Sequence, residues 1–398
     1  MPESTGDATL TTAAEARVEH LLARCDLLFH DLDYGEVTRW KAAHPGRAAV
    51  ACLPIYVPRE LIDACGHLPV TLRGAGDGVE IIRGDAYFQS YICQLPRGMI
   101  ELALTGRLDA FEGFIFPAIC DVIRNLSGMW QVLFPSKLAR YLDVPQDFDP
   151  AVGGVFYADE LRRLLADLRA LGEPRAEEPD LAASIARYNR NRAALADLMA
   201  LRARAPWQVP AWEAYLVVRA GDVLPVDEHT DLVRDYLAAV AAAERPQRDH
   251  TRVVVAGSFC EQPPLGLIRT LERAGCYVVH DDFTLGARWI EGDVATTGDP
   301  ITALANAYVT QSVDCASKYA VLGGKGDALR RTVRECGAEG VIFAAPSFCD
   351  PALLDQPMLQ GALDRAGIPW TAFKYSETLG QFQVIREQAG TFADSIRL

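Results

Sequence analysis

Three cysteines in this chain each follow a short apolar run: Cys120 in EGFIFPAICDVIRNLSGMW, Cys349 in EGVIFAAPSFCD and Cys260 in AGSFCEQPP. A thiol past the end of a buried strand can be a small core residue. It can equally be a ligand carried at the mouth of an α/β sheet. Iron–sulfur clusters are held by thiolates, and those thiolates need not be close in sequence if the fold gathers them. The chain has ten cysteines but no C-x-x-C pair and no H-E-x-x-H, which removes thioredoxin-type and most zinc chemistry. A cluster and a set of buried core thiols both remain open on spacing alone.

Other common sites are missing. No G-x-x-x-x-G-K-[ST] occurs, so no ATP hydrolysis by a P-loop is expected. GAGDG (74–78) departs from the dinucleotide fingerprint and reads as a turn. His67, His229 and His280 are scattered and read as core or surface residues, and Asp281-Asp282 as a polar strand end. The net charge of −14 argues against nucleic acid as a partner, since phosphate contact needs a basic face. The first twenty residues lack a basic then apolar leader, and no apolar run approaches membrane-spanning length. A cytoplasmic protein without structural disulfides is therefore expected.

The elements that would position the cysteines follow from periodicity. A capping-box pattern at Thr12–Glu15 precedes Val18, Leu21, Leu22, Cys25, Leu28 and Phe29 at helical spacing, which makes Cys25 a core residue. Short apolar runs at 48–57, 68–74, 113–117 and 139–144 read as strands, with helices over 58–66, about 87–104 and from Cys120 onward. From about 156 to 245 the chain turns charged, amphipathic and strand-free, and 243–252 is a polar linker. Strands then resume at 252–258, 276–283, 340–345 and 370–375. Short apolar strands alternating with helices predict parallel sheets covered on both faces. The expected architecture is α/β: two Rossmann- or flavodoxin-like parallel-sheet lobes facing a cleft, with a helical insert between them. The corresponding division is an N-terminal helical segment (1–45), a first lobe (46–150), the insert (151–245) and a second lobe (250–398).

The two lobes echo each other. YVPRELIDACGHLPVTL and QPPLGLIRTLERAGCYVVH share strand, Pro, Leu-Ile, helix, Gly and strand, and EGFIFPAICD matches EGVIFAAPSFCD. Parallel sheets bind ligands outside the carboxyl ends of their strands. Two such lobes face to face would turn Cys120 and Cys349 into one cleft, with Cys260 at a third strand end.

Beyond these patterns, the chain resembles the family of 2-hydroxyacyl-CoA dehydratase component D subunits and ATP-dependent benzoyl-CoA reductase subunits. The resemblance rests on YVPRELIDACGHLPV, EIIRGDAYFQSYICQLPRG, FPAICDVIRNLSGMW, RYLDVPQDFDP, GSFCEQPPLGLI, GVIFAAPSFCDPALLDQPML and FKYSETLGQFQVIREQAGTFADSI, spread over nearly the whole chain. It implies a [4Fe-4S] cluster on three spaced cysteines, which fall on Cys93, Cys120 and Cys349. Cys260 is a candidate fourth ligand, whereas Cys52, Cys65, Cys276, Cys315 and Cys336 are left as core or surface thiols.

The resemblance further implies electron delivery to the aromatic ring of benzoyl-CoA, giving a cyclohexadiene-carbonyl-CoA. The implied partners are a second, homologous iron–sulfur subunit of the same complex, two ATP-hydrolysing activator-like subunits that explain the missing P-loop, and ferredoxin as electron donor. Asp121, Glu261 and Asp350, beside the cysteines, could donate protons but read first as helix-start carboxylates. Arg124 could meet a CoA phosphate and reads first as part of an ion pair. Catalytic residues stay unassigned. A dehydratase subunit with the same fold, and a non-catalytic scaffold or electron relay, are the competing expectations.

Overall fold

The computed structural model describes residues 5–173, 178–257, 263–319, 324–376 and 382–398. Two helices open the chain, α1 (Thr5–His30) and α2 (Gly35–Ala43). The first sheet is laid down as β1 (Ala49–Cys52), α3 (Arg59–Ala64), β2 (Leu68–Thr71), α4 (Gln94–Leu104), β3 (Gly113–Pro117), α5 (Asp121–Leu133) and β4 (Leu138–Leu142). Four helices follow: α6 (Val155–Arg169), α7 (Leu181–Arg204), α8 (Ala211–Ala220) and α9 (Val226–Ala242). The second sheet comes from β5 (Thr251–Ala256), α10 (Leu265–Arg273), β6 (Cys276–Asp281), α11 (Pro300–Gln311), α12 (Gly324–Glu335), β7 (Gly340–Pro346), α13 (Asp350–Ala366), β8 (Trp370–Tyr375) and α14 (Phe382–Arg397).

Both sheets are wholly parallel and share one topology. Their strand orders are β2-β1-β3-β4 and β6-β5-β7-β8. In each, the order reverses between the first and third strands laid down, the switch point where open α/β sheets take ligands. The inner strands β1, β3 and β7 are buried at every position, while β4 and β8, at the sheet edges, are mostly half-buried. Continuous apolar runs are what a strand covered on both faces requires.

Two of the expected elements are shorter than their apolar runs. The run 48–57 pairs only as far as Cys52, after which Leu53 donates its N–H to Ile115 O at 3.1 Å and the chain leaves the ladder. Tyr56 then adopts a left-handed φ of 67°, yet Leu53 to Val57 remain buried, which is why the run reads as strand throughout. The helix expected over 87–104 begins at Gln94, with Cys93 as its N-cap. Pro96 explains the start: proline fits a first helical turn, where its missing N–H costs nothing.

Packing crosses the sequence halves. Leu285, Trp289, Leu304 and Tyr308 share the apolar core of the first sheet. Conversely, α1 contributes Val18, Leu21 and Cys25 to the core beneath the second sheet, together with α8 and α9. Buried ion pairs tie these layers. Asp222 accepts from both Arg73, past β2, and Arg219 of α8. Arg202 of α7 donates to Asp281 at the end of β6. Gly286 lies so close to Pro54 that an added Cβ would stand 2.1 Å from its carbonyl oxygen.

Candidate functional site

Each of the three cysteines singled out by resemblance is a helix N-cap. Cys93 precedes α4, Cys120 links β3 to α5, and Cys349 links β7 to α13. Since β3 and β7 hold the same place in their sheets, Cys120 and Cys349 are equivalent by topology, at the two switch points. Cys260 and Glu261, with the rest of the segment after β5, lie outside the described residues.

The carboxyl ends of the two sheets meet. Gln94, next to Cys93, donates to Ser376 Oγ, just past β8, at 3.4 Å. Tyr319 N–H donates to Gln146 Oε1 at 2.9 Å, and Tyr56 OH sits 2.6 Å from Cys315 Sγ and 3.0 Å from Ser317 Oγ. Asp350, one residue past Cys349, is near enough to Cys120 to act on its thiol. Burial pushes the Cys120 thiol up, the N–H groups of Ile123 and Val122 pull it down, and the carboxylates of Asp121 and Asp350 add to the rise. A bound cation inverts such a balance, because coordination itself deprotonates a thiol.

Strain is also localised here. Phe348, immediately before Cys349, is half exposed with φ at 67°. A bulky L-residue pays about 1–2 kcal/mol in this region, and backbone outliers of this kind cluster at ligand clamps.

The donor set fits a cluster better than a single ion. Among the described residues no three His, Cys, Asp or Glu side chains converge on a point that could hold one metal ion. A four-iron cubane makes no such demand, since each thiolate binds a different iron. Three N-cap cysteines around one cleft, drawn from both lobes, match that requirement in ligand type and in placement.

The remaining sequence candidates resolve individually. Cys25, Cys52, Cys65, Cys276 and Cys315 are buried and Cys336 is half-buried. Burial pushes the thiols of Cys25, Cys52 and Cys276 up to about 12, which makes them inert. His67 is a satisfied core residue, with Ala48 N–H on Nδ1 and Leu168 O beside Nε2. His229 is another, held down to about 4 by burial, beside Val217 O and Asn191. Asp121 and Asp350 occupy the first turns of α5 and α13. Arg124 makes no ion pair among the described residues; its guanidinium lies over the Tyr141 ring, 5.3 Å from the centroid.

Sequence reading missed a polar cavity of about 170 Å³ between the second sheet and α12–α13, lined by His280, Asp282, Arg288, Cys315, Lys325 and Asp355 among others. Its wall residues Ala316 and Ala352 also pack beside Cys349. Burial pushes the Asp282 carboxyl up to about 6, against the N–H of Gly257, which it accepts at 2.7 Å. Lys325 pairs with Asp355 at 2.6 Å, while His280 Nδ1 is buried with no hydrogen-bond partner among the described residues. The only sequence signal was polar residues at the end of an apolar strand.

Comparison with known proteins agrees with this layout. The profile of the 2-hydroxyglutaryl-CoA dehydratase D-component family matches residues 54–396. The chain belongs to that family. Among its relatives, the C-component subunit of benzoyl-CoA reductase of Thauera aromatica is 51% identical over 379 residues, covering 95% of this chain and 98% of the relative. The β subunit of (R)-2-hydroxyglutaryl-CoA dehydratase of Acidaminococcus fermentans is 28% identical, and the lactoyl-CoA dehydratase β subunit of Anaerotignum propionicum is 26% identical. Each of these spans 355 residues, covering 88% and 89% of this chain and 93% of either relative. The family match takes in both sheets and all three N-cap cysteines, so the cleft between the lobes is the part of this D-component fold to be explained. No described helix is long and apolar enough to cross a membrane.

Proposed function

We propose that this chain is the iron–sulfur subunit of an ATP-coupled, ferredoxin-dependent benzoyl-CoA reductase, working in the cytoplasm beside a second, homologous subunit and two ATP-hydrolysing subunits. The observation that carries the reading is the 51% identity to a benzoyl-CoA reductase subunit over 95% of this chain, against 28% or 26% for dehydratase subunits. Cys93, Cys120 and Cys349 would hold a [4Fe-4S] cluster, with Cys260 as a candidate fourth ligand. When bound, it would supply single electrons at low potential.

The protein side of the chemistry follows from charge. Three helix N-termini point their positive ends at the cysteines, which favours negative charge there. Asp121 and Asp350, each one residue past a cysteine, oppose that. Their carboxylates make an added electron less welcome and so more reducing. Reduction of the ring takes up two electrons and two protons, and the thioester carbonyl lowers its cost by sharing the radical charge. For the protons, Asp282 has the acidity suited to exchange near neutral pH. Its cavity adjoins the packing around Cys349.

The test is metal content, on the chain co-produced with its homologous partner under exclusion of oxygen. About four irons and matching sulfide per chain, depleted in Cys120→Ser, are expected for a cubane on these ligands. An iron-free intact protein would sink the reading and leave a scaffold subunit. The family description favours a second reading, a 2-hydroxyacyl-CoA dehydratase subunit. The two separate on substrate. A reductase consumes two electrons per benzoyl-CoA, whereas a dehydratase releases water from a 2-hydroxyacyl-CoA with no net electron use.

A further inference from the structure

A second concave site lies at the opposite edge of the second lobe. It is an open groove of about 620 Å³, walled by Trp207, Trp212, Arg248, Arg269, Arg273 and Tyr277 among others. Tyr277 is the second residue of β6, and His250, also in the wall, directly precedes β5. The groove is therefore at the amino ends of the strands, while Cys349 is at the carboxyl end of β7. A six-residue strand spans about 20 Å, so the two sites are separated by the length of the sheet.

The lining combines flat rings with uncompensated cations. Arg269 lies over the Trp212 ring at 4.4 Å from its centroid. Trp207 and His250 flank Tyr277 at centroid distances of 6.4 and 4.8 Å, and Tyr277 OH accepts the N–H of Arg248 at 2.7 Å. Among the described residues, Arg248, Arg269 and Arg273 have no acidic partner in an ion pair. The two acids in the wall do not supply one. Glu213 is taken by Arg245 and Tyr236. Glu272 accepts the N–H of Ala211 at 2.6 Å, and burial brings it close to neutral at physiological pH. Three such guanidiniums gathered in one hollow stand out in a chain of net charge −14.

Small-molecule pockets run to about 300–1,000 Å³ and combine apolar or aromatic walls with a few placed polar groups. Aromatic faces suit a planar heterocycle, and guanidinium forks suit phosphate oxygens in pairs. We propose that this groove binds an adenosine phosphate, with the base against the Trp207, Trp212 and Tyr277 rings and the phosphates on Arg248 and Arg273. The same chemistry occurs in a free nucleotide and in the phosphoadenosine end of a CoA thioester. The separation from the cysteine cleft favours the free nucleotide. The site makes no use of the cysteines and stands whether or not the reductase reading does.

The test is calorimetric titration of the purified full-length chain, without ATP-hydrolysing subunits, using ADP, ATP, CoA, adenosine and inorganic pyrophosphate. Saturable binding of ADP or ATP at least tenfold tighter than adenosine or pyrophosphate is expected. It should weaken at least tenfold in Arg273→Glu, an exposed position where charge reversal leaves folding intact, and in Trp212→Leu. CoA binding as tightly as ADP, with the same loss in Arg273→Glu, would support the site and identify the thioester as its source. No saturable binding, equal binding of pyrophosphate, or full affinity in Arg273→Glu would each overturn the proposal.

Discussion

Arg202 and Asp281 form an ion pair that holds helix α7 against the end of β6, one residue from the cavity acid Asp282. Both side chains are at most 3% exposed. Burial alone would raise the Asp281 carboxyl, but the guanidiniums of Arg202 and Arg288, with His280, outweigh it and hold it down to about 2. A folded value below the unfolded one stabilises the protein above about pH 4, and the contribution is lost as pH falls toward 2. For a displacement of this size it amounts to ~2–3 kcal/mol. Arg202→Met keeps the volume and removes the charge, leaving a buried carboxylate without its main partner. Breaking a buried pair from one side costs about 3–5 kcal/mol. At roughly 2–4 °C per kcal/mol for a unit of 150–250 residues, the melting temperature should fall by roughly 6–12 °C at pH 7. The gap to the parent should narrow below about pH 4. Adding Asp281→Asn removes the stranded charge and keeps an oxygen for Thr284, whose N–H donates to Asp281 Oδ1 at 2.9 Å. The double variant should recover most of the loss, the more so because Arg202 Nε and Nη2 have no acceptor among the described residues of the parent. Thermal unfolding by circular dichroism at pH 7 and pH 4 decides it. A fall under 2 °C in the single variant, or a double variant as unstable as the single, would refute the reasoning.

Three further outcomes are expected from the same assay. Gly286→Ala should cost about 1–3 kcal/mol, since its Cβ would press on Pro54 O, whereas Gly128→Ala in α5, with open space around it, should gain about 0.4–1 kcal/mol. An equal response at both positions would contradict the close approach between the lobes. Glu272 is pushed up to about 7 by burial, so its contribution is present at acid pH and lost as pH rises through 7. Glu272→Gln should therefore match the parent at pH 5 and exceed it at pH 8 by ~1 kcal/mol, and a gap that opens on the acid side instead would reverse the assignment. Phe348→Gly should raise stability by ~1 kcal/mol by releasing the left-handed φ, while lowering cluster retention if the strained turn presents Cys349. Unchanged iron content would assign the strain no role in ligation.

The parallel lobes were legible because a strand covered on both faces must be apolar throughout, and the runs around Phe114 and Ile342 have no other use. The duplicated Glu-Gly and Cys-Asp around the third strand of each lobe carried the topology too: both cysteines end the strand at the switch point. Where the reading went wrong, one physical cause recurs. Burial and hydrogen-bonded regularity are separate properties. Leu53 to Val57 are as buried as β1 but turn away through Tyr56, and residues 87–93 contain apolar side chains without joining α4. Hydrophobic pattern reports the first property alone; Pro96 held the missing information on the second.

What no local pattern could disclose is the partner of each group across the fold. Trp289 and Tyr308 would pack into some core on composition alone, but that it is the first sheet's core depends on a chain crossing some 200 residues from β1. The same holds for His280. As a lone histidine in an apolar strand it resembled His67 and His229, and those two are satisfied by backbone groups of their own neighbourhood. His280 differs because its neighbours are Asp282, Arg288 and Lys325, brought from a strand end, a turn and a distant helix around one cavity. A buried nitrogen without a protein partner, among charged groups that are themselves paired, costs stability unless something occupies the space beside it. The fold spends that stability next to the packing of Cys349 rather than elsewhere in the lobe, which argues that cavity and cysteine cleft belong to one working site.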